Sequence, residues 1–154
     1  MSLANASRAA RILLVEDNED HAFLTRESLE SERLRIDLHH VNDGEKCMAF
    51  LRRQAPYQDA PVIDLILLDL HMPRMDGFEV MEAIAADEQL RHTPVIVLTT
   101  SRDRSEVERM YKLRCNSFIS KPVDFEGFSR AIREIAGYWL QVVVLPTEED
   151  GPLN

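Results

Sequence analysis

The sequence predicts an α/β fold in which a five-stranded parallel sheet carries helices on both faces. Three observations support it. Wholly aliphatic runs at 12–15, 65–68 and 95–98 have the composition of strands buried on both faces. Between such runs lie segments whose apolar residues recur at three and four, the spacing of an amphipathic helix. Strand and helix alternate five times, which builds a parallel sheet with crossover helices. With 154 residues the chain can form one domain with a full core and is too short for two.

Residues 1–9 are rich in small side chains and read as a flexible arm. The first strand runs from Arg11 to Val15 and ends in Glu16 and Asp17. Asn18 suits a helix N-cap, followed by Glu19 and Asp20 in the first turn, where the helix dipole favours negative charge. This helix should reach about Ser31. Ile36, Leu38 and Val41 mark a second strand near 35–41. Asn42, Asp43 and Gly44 read as a turn, and a second helix runs from about Glu45 to Arg53. Residues 54–63 hold Pro56 and Pro61 with no period and read as a loop. The third strand ends in Asp69. Pro73 and the Asp76-Gly77 pair then turn the chain into a third helix, about 77–87, striped by Val80, Met81 and Ile84.

The fourth strand, 95–98, ends in Thr99, Thr100 and Ser101. A fourth helix should cover about Ser105 to Leu113, with Val107, Met110 and Tyr111 on one face. Ser117 to Ser120 is a short strand ending at Lys121-Pro122. The fifth helix starts near Asp124, and its stripe is Phe125, Phe128, Ile132, Ile135 and Trp139. Residues 10–140 thus form the domain and 141–154 a C-terminal extension.

The net charge of -9 argues against nucleic-acid binding and against an anionic membrane surface. No apolar run approaches transmembrane length, and Met1 to Ala10 has no apolar core of a secretory leader. Cys47 and Cys115 have neither metal nor redox spacing. Reduced, structural thiols fit a cytoplasmic protein. His21, His39, His40 and His92 are scattered and read as solvent-facing or locally satisfied, and Asp43 and Asp76, each next to glycine, as turn residues. Asp64 falls at the opposite end of its strand from Asp69.

The polar residues that matter all fall at the same end of their strands. Parallel strands bring those ends to one sheet edge, where ligands bind in open α/β sheets. Glu16, Asp17, Asp69, Thr99 and Lys121 would share one pocket. Three carboxylates at close quarters repel and call for a cation. Hard oxygen donors without Cys or His suit Mg²⁺, with Mn²⁺ as an alternate. A carboxylate so placed can attack a phosphoryl group, whose oxygens need a metal, a hydroxyl and a cation. Thr99 and Lys121 are suitable donors.

The combination Leu14-Val15-Glu16-Asp17-Asn18, Leu67-Leu68-Asp69-Leu70-His71-Met72-Pro73-Arg74-Met75-Asp76-Gly77, Leu98-Thr99 and Lys121-Pro122 resembles the receiver domain of two-component response regulators. The resemblance spans roughly residues 10–140 and implies a flavodoxin-like fold with strand order 2-1-3-4-5. It implies that Asp69 is the phosphoacceptor, that Asp17 binds Mg²⁺ directly and Glu16 through water, and that the main-chain carbonyl of His71 completes the metal site. It further implies that Thr99 and Lys121 bind phosphoryl oxygens, that Phe118 is the switch aromatic, and that Lys121-Pro122 is a cis peptide. His71 and Ser101 stand where the family tunes phosphoryl lifetime. Glu16 replaces the more frequent Asp, and Phe118 the more frequent Tyr.

The longer loop before the third strand and the apolar ending from Tyr138 to Pro146 look like the stand-alone regulators paired with bacterial phytochrome histidine kinases. By that likeness the partner is a sensor histidine kinase, and a homodimer would use helix four, strand five, helix five and the C-terminal extension. Output would be protein–protein contact rather than DNA binding or enzymatic turnover. Two other classes compete. An aspartate-nucleophile phosphohydrolase would carry an acid two residues after Asp69, where His71 stands. A flavodoxin-like nucleotide or flavin binder would want a Gly-rich or hydroxyl-rich first turn, where this chain has Glu16-Asp17-Asn18-Glu19-Asp20.

Overall fold

The computed structural model describes residues 9–31 and 35–141. Among them five strands, β1 (Ala10–Val15), β2 (Ile36–Val41), β3 (Leu65–Leu68), β4 (Val95–Thr99) and β5 (Ser117–Ser120), alternate with five helices. These are α1 (Glu19–Glu30), α2 (Gly44–Leu51), α3 (Gly77–Ala86), α4 (Arg104–Lys112) and α5 (Phe125–Gln141). All pairings are parallel, in the order β2-β1-β3-β4-β5. The doubly wound fold read from the sequence is the fold observed. The arm, apart from Ala9, and the extension, apart from the backbone of Gln141, lie outside the described residues.

Side chains alternate across the sheet, so each aliphatic run feeds two cores. Leu13, Val15, Ile66, Leu68, Val95 and Val97 pack with Cys47, Met48, Phe78, Met81 and Met110 from α2, α3 and α4. Ile12, Leu14, Leu65, Leu67, Ile96 and Leu98 pack with Leu29, Phe128, Ile132 and Leu140 from α1 and α5. Each fully buried Leu or Ile contributes roughly 1.5–3 kcal/mol. Both cysteines are buried and unpaired. Burial pushes their thiols up, to about 12 for Cys47 and about 11 for Cys115.

The helix starts are capped by side chains, and this is where the reading of turns needs correction. Asn18 caps α1 by accepting from the His21 N–H at 3.1 Å. Asp43 and Asp76 are N-caps rather than free turn residues, and α2 accordingly begins at Gly44 and closes at Leu51. Asp43 accepts from Lys46 N at 2.7 Å. Asp76 and Glu79 form a reciprocal capping box, at 2.9 and 3.2 Å, which satisfies two otherwise unpaired donors.

Two aromatic residues of the helical stripes face solvent. Tyr111 is exposed because its hydroxyl accepts from the Phe118 N–H at 3.1 Å, which draws the ring to the rim of the edge strand β5. Phe125 opens α5 just after the exposed Val123, in a first turn that stands clear of the sheet. The buried stripe of α5 starts at Phe128 and runs through Ile132, Ile135 and Ala136 to Leu140, with Trp139 half-buried beside it.

Candidate functional site

The strand register fixes which side chains meet. Val15 lies opposite Leu68, and Leu68 opposite Val97, so Glu16 and Asp69 leave the sheet level with one another. Thr99 lies opposite Ser120, and the Lys121 N–H donates to the Thr99 carbonyl at 2.7 Å. The carboxylate oxygens of Glu16, Asp17 and Asp69 lie within 4.8 Å of one another, the one such cluster among the described residues. Glu16, Thr99 and Lys121 are buried, Asp69 nearly so, and Asp17 is exposed, so the cluster opens to solvent on the Asp17 side.

Lys121 is the hub. Its ammonium donates to Glu16 Oε1 and to His21 Nδ1 at 2.9 Å, and faces Asp69 Oδ2 at 3.5 Å. Asp69 Oδ1 accepts from the Leu70 N–H at 2.7 Å, and Glu16 Oε2 from the Asn18 N–H at 3.3 Å. One ammonium cannot balance three carboxylates. Burial, followed by the charge of Asp69, pushes the Glu16 carboxyl up to about 7, against the pull of Lys121. A divalent cation would supply the missing charge. The donor set, three carboxylates with no sulfur or imidazole among them, fits a hard cation.

The loop after β3 is held from both sides. Gly44 N donates to the Met75 carbonyl at 3.1 Å, and a Cβ on Gly44 would lie 2.1 Å from that oxygen. Arg74, at φ 67°, reaches back to Asp43 Oδ2 at 3.0 Å. His71 sits in this tethered loop. Its ring is exposed and pairs through Nε2 with Glu106 Oε1 at 3.1 Å, and the same oxygen accepts from Ser101 Oγ. Thr99 Oγ1 accepts from the Ser101 N–H at 3.3 Å. Phe118 is half-buried against the core on the α4 side of the sheet.

Glu16, Asp17, Asp69 and Lys121 thus lie together at one sheet edge, and Thr99 adjoins them through its backbone carbonyl. The peptide before Pro122 is a correction: it is trans, and the cis X-Pro bond among the described residues is Ala55-Pro56. Trans is the intrinsic preference of such bonds. Here the Lys121 side chain reaches both carboxylates from a trans bond, and its carbonyl accepts from Arg102 Nη2 at 3.0 Å. His21 is a second correction, since it lies inside the site. Glu106, which sequence reasoning passed over, stands at its rim, bonded to His71 and Ser101. His21 was legible in hindsight: it is the third residue after an N-cap, and helical side chains there lean back toward the strand end. No comparable signal marked Glu106.

This fold and this strand-edge cluster define a receiver of the response regulator type, and comparison with known proteins agrees. The response regulator receiver domain family matches residues 12–133, and the chain belongs to that family. It is 37% identical to Response regulator Rcp1 of Synechocystis sp. over 135 residues, 88% of this chain and 92% of that protein. The structure of the phosphorylated cyanobacterial phytochrome response regulator RcpA superposes with a TM-score of 0.88 at 35% identity, covering 90% of this chain and 99% of that one. The Mn²⁺-bound form of Rcp1 superposes with a TM-score of 0.86 at 36% identity, with the same coverage. Among the described residues no helix is long and apolar enough to cross a membrane.

Proposed function

We propose that Asp69 accepts a phosphoryl group from the phosphohistidine of a sensor histidine kinase and that the modified domain signals by protein–protein contact in the cytoplasm. The observation that carries this reading is one buried ammonium facing two of three clustered carboxylates at a parallel sheet edge. An Asp69 oxygen attacks phosphorus, the bond to the donor imidazole nitrogen breaks, and that nitrogen keeps the electron pair. Glu16, Asp17, Asp69 and the His71 carbonyl would hold Mg²⁺, or Mn²⁺ in its place, which when bound neutralises the acids and the phosphoryl oxygens. Lys121 offers its ammonium to a second phosphoryl oxygen and Thr99 its hydroxyl to a third.

The movement of Thr99 would withdraw its oxygen from the Ser101 N–H and open room for Phe118 to turn inward. That shifts the population of the face built by α4, β5 and α5. Tyr111, Val123 and Phe125 are exposed on or beside it, and this is the face that would meet a second copy. His71 and Ser101, joined through Glu106, stand where water would approach and set the lifetime. Relatives that are phytochrome response regulators favour a kinase of the bacteriophytochrome type. His71 in place of an acid two residues after Asp69 speaks against a phosphohydrolase, and the acidic first turn against a flavin or nucleotide binder.

The test is intact mass after incubation with acetyl phosphate. One phosphoryl group should appear with Mg²⁺, not without it, and not in Asp69→Asn. Modification that persists in Asp69→Asn would overturn the assignment.

A further inference from the structure

The reaction as written gives no work to His21, yet its ring occupies one of the three donor directions of Lys121. An ammonium has three N–H groups and no acceptor. Those of Lys121 meet Glu16, Asp69 and His21 Nδ1. An imidazole nitrogen 2.9 Å from an ammonium must offer a lone pair, so His21 is neutral with its proton on Nε2. The ring is held from two directions. The Asn18 cap fixes its backbone at 3.1 Å, and Phe128 of α5 lies against it with centroids 5.7 Å apart.

The three acceptors are not equivalent. Glu16 and Asp69 are carboxylates, and both belong to the acidic cluster. His21 lies outside that cluster and carries no charge. A carboxylate in its place would cancel the charge of Lys121. A neutral imidazole fixes the ammonium in position and adds no further negative charge to compete with an incoming oxyanion.

We propose that His21 is a positioning residue for phosphoryl transfer: its Nδ1 holds the buried Lys121 ammonium beside Asp69 without neutralising it. This rests on Asp69 being the phosphoryl acceptor. The surroundings agree with a neutral ring. Burial and then the charge of Lys121 hold the imidazole below the usual histidine range, with Asp69, Asp20 and Asp17 opposing. The aromatic neighbour from α5, Phe128, carries no charge.

The test compares wild type with His21→Gln, whose amide oxygen can accept, and His21→Leu, which cannot. Phosphorylation rates are followed by intact mass with acetyl phosphate and Mg²⁺ in excess, between about pH 5 and pH 8, the range over which imidazole titrates. At neutral pH, His21→Leu should be slowed about tenfold, the order expected for a lost hydrogen bond to a charged donor, while His21→Gln keeps most of the rate. As pH falls, the ratio of wild type to His21→Gln should decline, because protonation removes the lone pair in wild type alone; terms shared by the two proteins cancel. Imidazole ¹⁵N shifts of wild type should show Nδ1 unprotonated. The inference is overturned by a wild-type rate in His21→Leu, by equal losses in both variants with equal loss of melting temperature, or by a protonated Nδ1 at neutral pH. Should His21→Leu fail to fold, the pH ratio and the nitrogen shifts decide. If wild type itself takes up no phosphoryl group, the acceptor reading falls and this inference with it. If wild type is modified normally, the Leu variant judges His21 alone.

Discussion

The strand β3 has a buried carboxylate at each end, and the two are used in opposite ways. Asp64, before the strand, has no exposed surface, and its Oδ2 accepts from the Arg11 N–H at 2.8 Å while its own N–H donates to the Arg11 carbonyl at 2.8 Å. Asn116 does the same before β5, accepting from the Val95 N–H at 2.8 Å. Polar side chains at this amino edge tie the starts of strands together. Asp69, four residues past Leu65, takes one backbone N–H and turns its other oxygen toward Lys121. At the carboxyl edge, polar side chains face one another.

Burial and volume therefore do not mark the site. Two cavities, of about 410 and 500 Å³, open at the amino edge, lined by Arg53, Ile63 and Leu90 and by Met81, Val95 and Leu113. The acidic cluster is elsewhere. What distinguishes the carboxyl edge is unbalanced charge held at short range, which costs stability unless a ligand offsets it.

Substitutions at the two edges separate their roles. The largest effect is expected for Lys121→Met, which leaves Glu16 and Asp69 facing each other buried. Without divalent cations it should lose about 3–5 kcal/mol in denaturant unfolding, and divalent cations should restore part of that.

Glu16 gives a pH signature of the same imbalance. Its folded-state carboxyl is pushed up to about 7 from 4.5, so the folded protein binds more protons than the unfolded chain between those values. That contribution to stability is fully present below 4.5 and is lost as pH rises through about 7, by up to about 3 kcal/mol. Melting without divalent cations should show that fall in wild type and not in Glu16→Gln. Divalent affinity, measured calorimetrically, should in turn weaken as pH drops below about 7, because the proton competes for Glu16.

Asp64→Ala should cost about 2 kcal/mol by removing the buried carboxylate that accepts from the Arg11 N–H, with no change in melting temperature on adding divalent cations beyond that of wild type. Asn18→Ala should cost only about 1 kcal/mol, the value of a helix cap.

The strands were legible because each doubly buried run is aliphatic, and burial leaves no room for ambiguity at Leu65 to Leu68 or Val95 to Leu98. The acidic cluster was legible because parallel pairing turns position along the chain into position in space. What escaped depends on contacts that local spacing does not encode. Tyr111 and Phe125 fit their helical stripes by spacing, but spacing does not say where a helix overhangs the sheet. His21 read as a solvent-facing or locally satisfied histidine at the start of a helix, because its partner, Lys121, is a hundred residues away in the chain. Glu106 reaches His71 and Ser101 from the first turn of α4, and nothing in its own neighbourhood foretells the contact with His71.

The two ends of β3 divide structure from chemistry. The direct test measures Asp64→Ala, which removes the acceptor, and Asp69→Asn side by side for melting temperature and for Mg²⁺-dependent phosphorylation by acetyl phosphate. Asp64→Ala should melt lower than wild type and still take one phosphoryl group. Asp69→Asn should melt at or above wild type without divalent cations, since one repelling charge is gone, and take none. Phosphorylation lost in Asp64→Ala at a temperature where it is folded, or retained in Asp69→Asn, would contradict that division.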